Sequence, residues 1–456
     1  MVFDTGFGYY SEAERKARNA FELYENGKMA QALDELEAAI EINPANSAWH
    51  FNKALTLDAV NRFDDAISEY ENALQLNPDD LEILNSLAVD YTRIGQYDLA
   101  IDTFEQIQEL DPTFEPCYCN RIITYTEMGQ HDLAEQMFYL AQQINPDCAL
   151  CYYNIGNSLF VRGEYKKAIH CWLKTAELEP THPEINYRIA QAYWSQGDSK
   201  CGREYFLAEL RNNPGDVDII LDFGLFLLEA GDIESAKEKF NRILELKPDS
   251  GAALFYLGEI AFNSADYERA TQLSNQALQK DNTLTGPHYR LAQYSLIKGQ
   301  KQKGRDYLLA ELKLDPDDSD TLVSMGSMFL TISEPDYATH CFLRAVDIDC
   351  ANADGYYYLG LVSIINGQLD DAVEFFSHTL DLRPEDIRAL RDSAVIYLAM
   401  GRLAKAAERV KKARSLADDD SQLRALDSRI WLVKVIKRIL DFVWQFRKGK
   451  NQKQKP

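Results

Sequence analysis

Residues 149–182 read ALCYYNIGNSLFVRGEYKKAIHCWLKTAELEPTH. Two helical patterns flank Arg162-Gly163, and Pro180 closes the second. Glycine ends a helix by turning left-handed at no steric cost, and proline cannot continue one. The layout returns every 34 residues, because Pro44, Pro78, Pro112, Pro146, Pro180, Pro214, Pro248, Pro316 and Pro384 share one frame. Asn282, Cys350 and Asp418 stand at the three steps without proline. Gly27, Gly95, Gly129, Gly163, Gly197, Gly231, Gly299, Gly367 and Gly401 keep the same beat at unit position 15. A fixed period of this length predicts an array of helix pairs, each packed only on its neighbours.

Residue size follows the beat as well. Small residues recur at unit position 8, as in Ala54, Ala88, Gly156, Ala190 and Gly360, and alanine recurs at position 20. A large side chain follows four residues later, as in Tyr70, Phe104, Trp172, Phe240 and Phe376. Small residues let two helices approach, and the aromatic one turn on fills the space beside them. Ile122 breaks the first rule, Gly202 and Gly304 the second, and Ser274 the third, where a softer joint is expected.

Tyr152, Ile155, Gly156 and Leu159, followed by Ala168, Trp172 and Pro180, resemble the tetratricopeptide repeat signature. The resemblance implies an all-α fold, a right-handed superhelical solenoid of antiparallel helix pairs with a C-terminal capping helix. Its frame divides the chain into a lead-in (1–12), twelve units, an amphipathic helix (421–446) and a basic disordered tail (447–456). The units are 13–46, 47–80, 81–114, 115–148, 149–182, 183–216, 217–250, 251–284, 285–318, 319–352, 353–386 and 387–420.

In that family the first helix of each unit lines an inner groove and exposes positions 2, 5, 6, 9, 12 and 13 there. The resemblance therefore points to Asn120, Tyr153, Asn154, Asn157, Tyr187, Arg188, Gln191, Tyr289, Arg290 and Gln293 as contacts for an extended peptide. Asn52, Asn120 and Asn154 resemble the amide ladders of peptide-gripping members, since an amide can both donate to and accept from any peptide bond. Ordinary bonding between helices is the competing explanation. The chaperone-tail clamp found in some members needs a lysine where Glu184 stands, so that partner is disfavoured.

The sixth and ninth units echo one another at an offset of 102 residues, Tyr187-Arg188-Ile189-Ala190-Gln191 against Tyr289-Arg290-Leu291-Ala292-Gln293. Duplication of a three-unit block accounts for the echo. Two equivalent stations of Arg, Gln and Tyr would also suit an acidic or aromatic-rich peptide. Glu209 and Glu311 fall at positions that are otherwise buried, which requires a partner, and Arg188 and Arg290 are candidates.

Charge divides the chain. Residues 421–456 carry ten Lys or Arg against Asp427 and Asp441, a net +8, so the other 420 residues hold −32 of the total −24. That acidic body disfavours nucleic acid as a partner. Trp431, Lys434, Lys437, Arg438, Trp444, Arg447 and Lys448 lie on a segment whose apolar arc sweeps about 220° at helical spacing. Three roles compete for it: a cap that also dimerises, a helix on an anionic membrane surface, and a nucleic-acid tail. The cap is the simplest.

No apolar run long enough to span a membrane and no secretory signal are evident, and the eight cysteines are dispersed, which together suggest a reducing cytoplasm, with membrane-peripheral attachment as the alternative. No cofactor motif, phosphate loop or catalytic constellation is found, so a non-catalytic interaction scaffold is expected, or an accessory assembly factor recruited to lipid by the C-terminal helix. Cys117, Cys119, Cys148 and Cys151 form the one weak metal candidate, a four-thiolate zinc site if all four converge. Small buried side chains at helix starts explain them more simply.

Overall fold

The computed structural model describes the backbone of residues 6–417 and 420–452, and the side chains of residues 12–417 and 420–436. Every regular element among them is an α-helix. The chain divides into two compact units, Met1–Asp232 and Ile233–Pro456.

The first unit begins with α1 (Gly6–Glu25), α2 (Met29–Ile42), α3 (Ser47–Asp58), α4 (Phe63–Leu76), α5 (Leu81–Arg93) and α6 (Tyr97–Leu110). It continues through α7 (Glu115–Glu127), α8 (His131–Ile144), α9 (Ala149–Val161), α10 (Tyr165–Leu178), α11 (Ile185–Ser195), α12 (Ser199–Asn212) and α13 (Val217–Glu229). The second unit holds α14 (Ile233–Leu246), α15 (Gly251–Asn263), α16 (Tyr267–Lys280), α17 (Pro287–Ile297), α18 (Lys301–Lys313) and α19 (Ser319–Thr331). It ends with α20 (Pro335–Ile348), α21 (Ala353–Ile365), α22 (Leu369–Leu382), α23 (Ile387–Ala399), α24 (Leu403–Leu416) and α25 (Ser421–Gln452).

Within each unit a helix packs first on its hairpin mate and then on the next helix, the arrangement expected of a stacked repeat. The hairpin turn is set by backbone conformation. Gly163 has φ +80°, and the glycines at equivalent turns are likewise left-handed. Three turns lack glycine, yet Asn61, Ala265 and Ser333 adopt the same positive φ of 60°, 61° and 67°. Packing of the two helices imposes the turn there against the preference of an L-residue.

Each hairpin closes where a small residue meets a large one. A Cβ on Gly156 in α9 would lie 2.4 Å from Nε1 of Trp172 in α10, so only glycine admits the indole. Trp172 is fully buried and its Nε1 donates to the Tyr153 carbonyl at 3.2 Å. Several helix starts are closed by the last residue of the preceding 34-residue block, as Asp80, Asp216, Ser250, Asp318, Asn352 and Asp386 accept first-turn backbone N–H groups, whereas Asn46 and Phe114 at the same position do not.

Two boundaries differ from the sequence reading. Helix α1 starts at Gly6, inside the segment taken as a lead-in, and α25 continues to Gln452 rather than stopping at 446. Neither stretch holds a proline, its glycines are accommodated within the helices, and a repeat frame does not mark where flanking helices end.

Candidate interaction surface

The first helices of adjacent pairs touch along the inner register, as in α5 with α7, α7 with α9, and α19 with α21. A polar side chain on one therefore meets its counterpart about one repeat further on. Asn120 Nδ2 donates to Asn85 Oδ1 at 3.1 Å, and Asn154 Nδ2 donates to the Cys119 carbonyl at 3.0 Å. Tyr187 Oη donates to Asp222 at 2.5 Å, Tyr357 Oη donates to Asp392 at 2.9 Å, and Arg93 pairs with Asp58.

These bonds correct the asparagine ladder. Asn154 is only 4% exposed and spends its amide on a neighbouring helix, so it is a tie between repeats. Asn120 is half-buried and likewise bonded. Tyr153 packs at a tilt against His182 with ring centroids 4.4 Å apart, and Asn157 is half-exposed.

The two echoed stations share a frame and differ in detail. In each, the glutamine donates to the tyrosine hydroxyl, Gln191 to Tyr187 at 2.6 Å and Gln293 to Tyr289 at 2.8 Å. Arg290 is then fully engaged. Its Nε and one terminal nitrogen grip both oxygens of Glu259 at 2.5 Å, its other terminal nitrogen reaches Gln293 at 2.6 Å, and it lies 4.7 Å from the centre of the Phe262 ring. A bidentate pair of this kind leaves the guanidinium little capacity for a ligand.

Arg188 is different. Its Nε is buried without a hydrogen-bond partner, and among the described residues it makes no ion pair. The residue 102 positions before Glu259 is Asn157, which brings no charge. That single difference was readable in the sequence by aligning the two blocks. Burial, and then the Asp222 carboxylate, raises the Tyr187 hydroxyl above its ordinary range, which keeps it a donor.

Neither glutamate pairs as the sequence reading proposed. Glu311, fully buried, accepts from the backbone N–H of Gly286 at 2.5 Å and of Tyr289 at 3.0 Å, so it caps α17 and leaves Arg290 to Glu259. Burial raises its carboxyl, and the backbone donors work against that shift. Glu209 accepts from Asn213 at 2.7 Å. Glu311 lies two residues from the end of α18, and its target, the start of the preceding helix α17, comes within reach only when the hairpin has folded.

Apolar side chains also face outward at inner-register positions. Phe21, Val161, Ile297 and Ile365 are each at least 61% exposed, and Ile123 and Val395 are partly so. In the first unit Phe21 joins Ala17, Tyr24, Leu36, Asn52 and Leu55 around an open cleft.

The cysteines sort differently from expectation. Cys117 Sγ lies against the Phe104 carbonyl at 3.3 Å and stands apart, and burial pushes its thiol up to about 12. Cys119 and Cys151 are joined as a disulfide, and Cys148 Sγ sits 3.5 Å from Cys119 Sγ. Glu115, one helical turn before Cys119 in α7, takes the place expected of Cys117. The pairing of Cys119 with Cys151 also departs from a chain of dispersed free thiols.

At the C-terminus, Leu423, Leu426 and Ile430 of α25 are buried against the last hairpin, a spacing that makes one stripe. Trp431 is 65% exposed, and Leu432, Val433, Lys434 and Ile436 are also exposed. The side chains of Lys437, Arg438, Trp444, Arg447 and Lys448 lie outside the described residues. No helix among the described residues is long and apolar enough to cross a membrane.

Comparison with known proteins bears on the repeats. The family described as tetratricopeptide repeat matches residues 227–294 and 363–430, and the N-terminal TPR repeats region of Psidin matches 14–143. A TPR repeat family matches 156–197, and the C-terminal tetratricopeptide repeats of YpiA-like proteins match 183–250. The human mitochondrial import receptor subunit TOM70 is 37% identical over 71 residues, which are 16% of this chain and 12% of that protein. The human protein O-mannosyl-transferase TMTC3 is 26% identical over 147 residues, 29% of this chain and 16% of that protein. The matched segments thus span less than a fifth of either relative. A chain in the crystal structure of the APC/C hetero-tetramer Cut9–Hcn1 superposes with a TM-score of 0.43 at 14% identity, covering 90% of this chain and 95% of that one. Repeat-family matches over most of the sequence and an all-helical stack of hairpins agree: the chain belongs to the tetratricopeptide repeat family, a family of protein-interaction scaffolds.

Proposed function

We propose that the inner face of the first unit binds an extended segment of a partner protein and that Arg188 receives an acidic group of that segment. The observation that carries this reading is the Arg188 guanidinium, half-buried, with no ion pair among the described residues. Burying a cation without an anion is costly, and a ligand carboxylate would offset that cost. Tyr187 and Gln191 flank it, and the exposed Ile123 and Val161 supply apolar contact along the same register.

Fluorescence anisotropy with labelled peptides that differ only in Asp or Glu content tests it. Acidic peptides should bind the full chain, and Arg188→Ala should weaken them about 30-fold, the loss expected for one partly desolvated charge pair. Undiminished binding by Arg188→Ala would sink the proposal.

The alternative is a membrane-peripheral assembly factor recruited through α25. Exposed Trp431, Leu432, Val433 and Ile436 beside Lys434 favour it, since a cap needs only the buried stripe. Co-sedimentation with phosphatidylserine vesicles should then fall sharply for Trp431→Glu, which leaves the capping residues untouched. Equal sedimentation would remove lipid, and concentration-dependent sedimentation velocity would point to self-association instead.

A further inference from the structure

Four potential ligands converge where α7 meets α9. Glu115 and Cys119 sit one turn apart on α7, Cys148 is the N-cap of α9, and Cys151 lies in its first turn. One carboxylate oxygen and three sulfurs all fall within 4.8 Å of one another, with both Cys119 and Cys151 buried. Glu115 Oε1 is 2.8 Å from Cys119 Sγ and 3.1 Å from Cys151 Sγ.

These contacts do not suit a disulfide alone. Neither sulfur of the Cys119–Cys151 bond carries a proton, so the Glu115 carboxylate faces two sulfurs that cannot donate to it and has only the Cys148 thiol as a donor in the group. Cys148 is unusual too. It accepts from the Cys151 N–H at 3.2 Å at a position where other repeats place aspartate, asparagine or serine, and sulfur is the weaker acceptor. Capping alone does not call for a thiol. A cation explains both features, because it would neutralise the carboxylate and use the sulfur.

We propose that, once the Cys119–Cys151 bond is reduced, Glu115, Cys119, Cys148 and Cys151 bind one zinc ion. Three thiolates and a carboxylate on two packed helices match the four-coordinate preference of that ion, whose zinc–sulfur bonds of about 2.3 Å place tetrahedral sulfurs just under 4 Å apart. Cys119 and Cys148 Sγ are already at 3.5 Å. A phosphine reductant and water convert the disulfide into two thiols and the phosphine oxide. Zinc then replaces the three thiol protons, which pass to solvent, and the carboxylate binds as the anion. The ion would pin the fourth 34-residue block to the fifth on the inner side of the first unit.

The test uses the full chain, reduced with phosphine, freed of metal, and loaded with zinc or with cobalt as a spectroscopic substitute. One metal per chain by mass spectrometry and a thiolate-to-cobalt charge-transfer band are expected. Cys148→Ser and Cys151→Ser should lose both, Glu115→Gln should weaken binding at least 10-fold, and Cys117→Ser and Cys171→Ser should change neither. Chain kept in the disulfide form should bind none until reduced. Reduced wild-type chain with free thiols and no bound metal would overturn the proposal, as would full stoichiometry in Cys148→Ser. Should the cysteine variants lose helical circular dichroism, alkylation of the wild type decides. Zinc must slow modification of Cys119, Cys148 and Cys151 but not of exposed Cys350, and equal rates with and without zinc would refute the site.

Discussion

Two stations 102 residues apart carry the same Tyr-Arg-x-x-Gln, and only one has its arginine neutralised by the protein itself. In the second unit Glu259 answers Arg290 with both oxygens, and Phe262 covers the pair. In the first unit the equivalent of Glu259 is Asn157, and Tyr187 bonds to Asp222 where the second station has Ser324. Duplication explains why the stations look alike. It does not explain why one has kept a guanidinium without a counter-ion. A repeat protein can hold one copy of a motif as structure and release another for recognition, and of the two neighbour changes it is Asn157 for Glu259 that takes away the arginine's ion-pair partner.

The largest effect that could break this contrast is charge reversal. Arg188→Glu should cut the affinity for an acidic peptide by 100-fold or more, whereas Arg290→Glu should leave that affinity within about threefold, as anisotropy would read directly. Equal losses from both would erase the distinction. A gentler change imports the second station's solution into the first. Asn157→Glu should provide Arg188 with an internal partner, weaken the peptide about 30-fold, and leave the helical circular dichroism and melting unchanged or improved. The reverse substitution, Glu259→Asn, should open a second site of similar preference, visible as a stoichiometry of two.

The support beneath the second station comes next in size. Glu311→Ala removes the acceptor for the Gly286 and Tyr289 N–H groups and should cost about 2 kcal/mol locally, seen as faster hydrogen exchange in α17. The sign of its pH dependence follows from burial. The folded carboxyl titrates above its ordinary 4.5, so the native state holds the proton longer than the unfolded chain. Protection of α17 should therefore decline as pH rises from about 4.5 through the raised value, and Glu311→Gln should flatten that slope. The smallest effect is a turn. Ala265→Gly relieves a left-handed alanine at the end of the helix that carries Glu259 and Phe262, and should stabilise the second unit by about 0.5–1 kcal/mol in thermal unfolding. No gain would mean that the turn is not strained.

Much of the architecture was legible because it depends on local rules. Gly163 and its equivalents announce the hairpin turn, Gly156 opposite Trp172 announces close packing, and proline announces each stop. Departures from those rules were legible only as gaps. Asn61, Ala265 and Ser333 show that a turn survives without its glycine when two packed helices demand it. The candidate site was read less well. Register alone placed Asn154 on the inner face, yet the neighbouring helix claims its amide, so facing the groove did not mean being free to bind. Cys117 and Cys119 are two residues apart on one helix, and sequence spacing could not say which of them turns toward Cys148. A four-residue step does connect Glu115 with Cys119, a helical spacing that sets the carboxylate beside the thiol although cysteine spacing alone does not point to it.

By itself, then, the sequence determined the period, the positions of turns and stops, and the face of the helix on which each residue sits, because these follow from backbone sterics and helical geometry within a few dozen residues. Only the tertiary structure decided which polar groups on those faces are spent and which remain. Asn154 is consumed by a carbonyl, Arg290 by Glu259 and Glu311 by the start of α17, while Arg188 is left over and three sulfurs gather around Glu115. The physical reason is that partners about one repeat away in sequence come into hydrogen-bond range only when adjacent helices have packed.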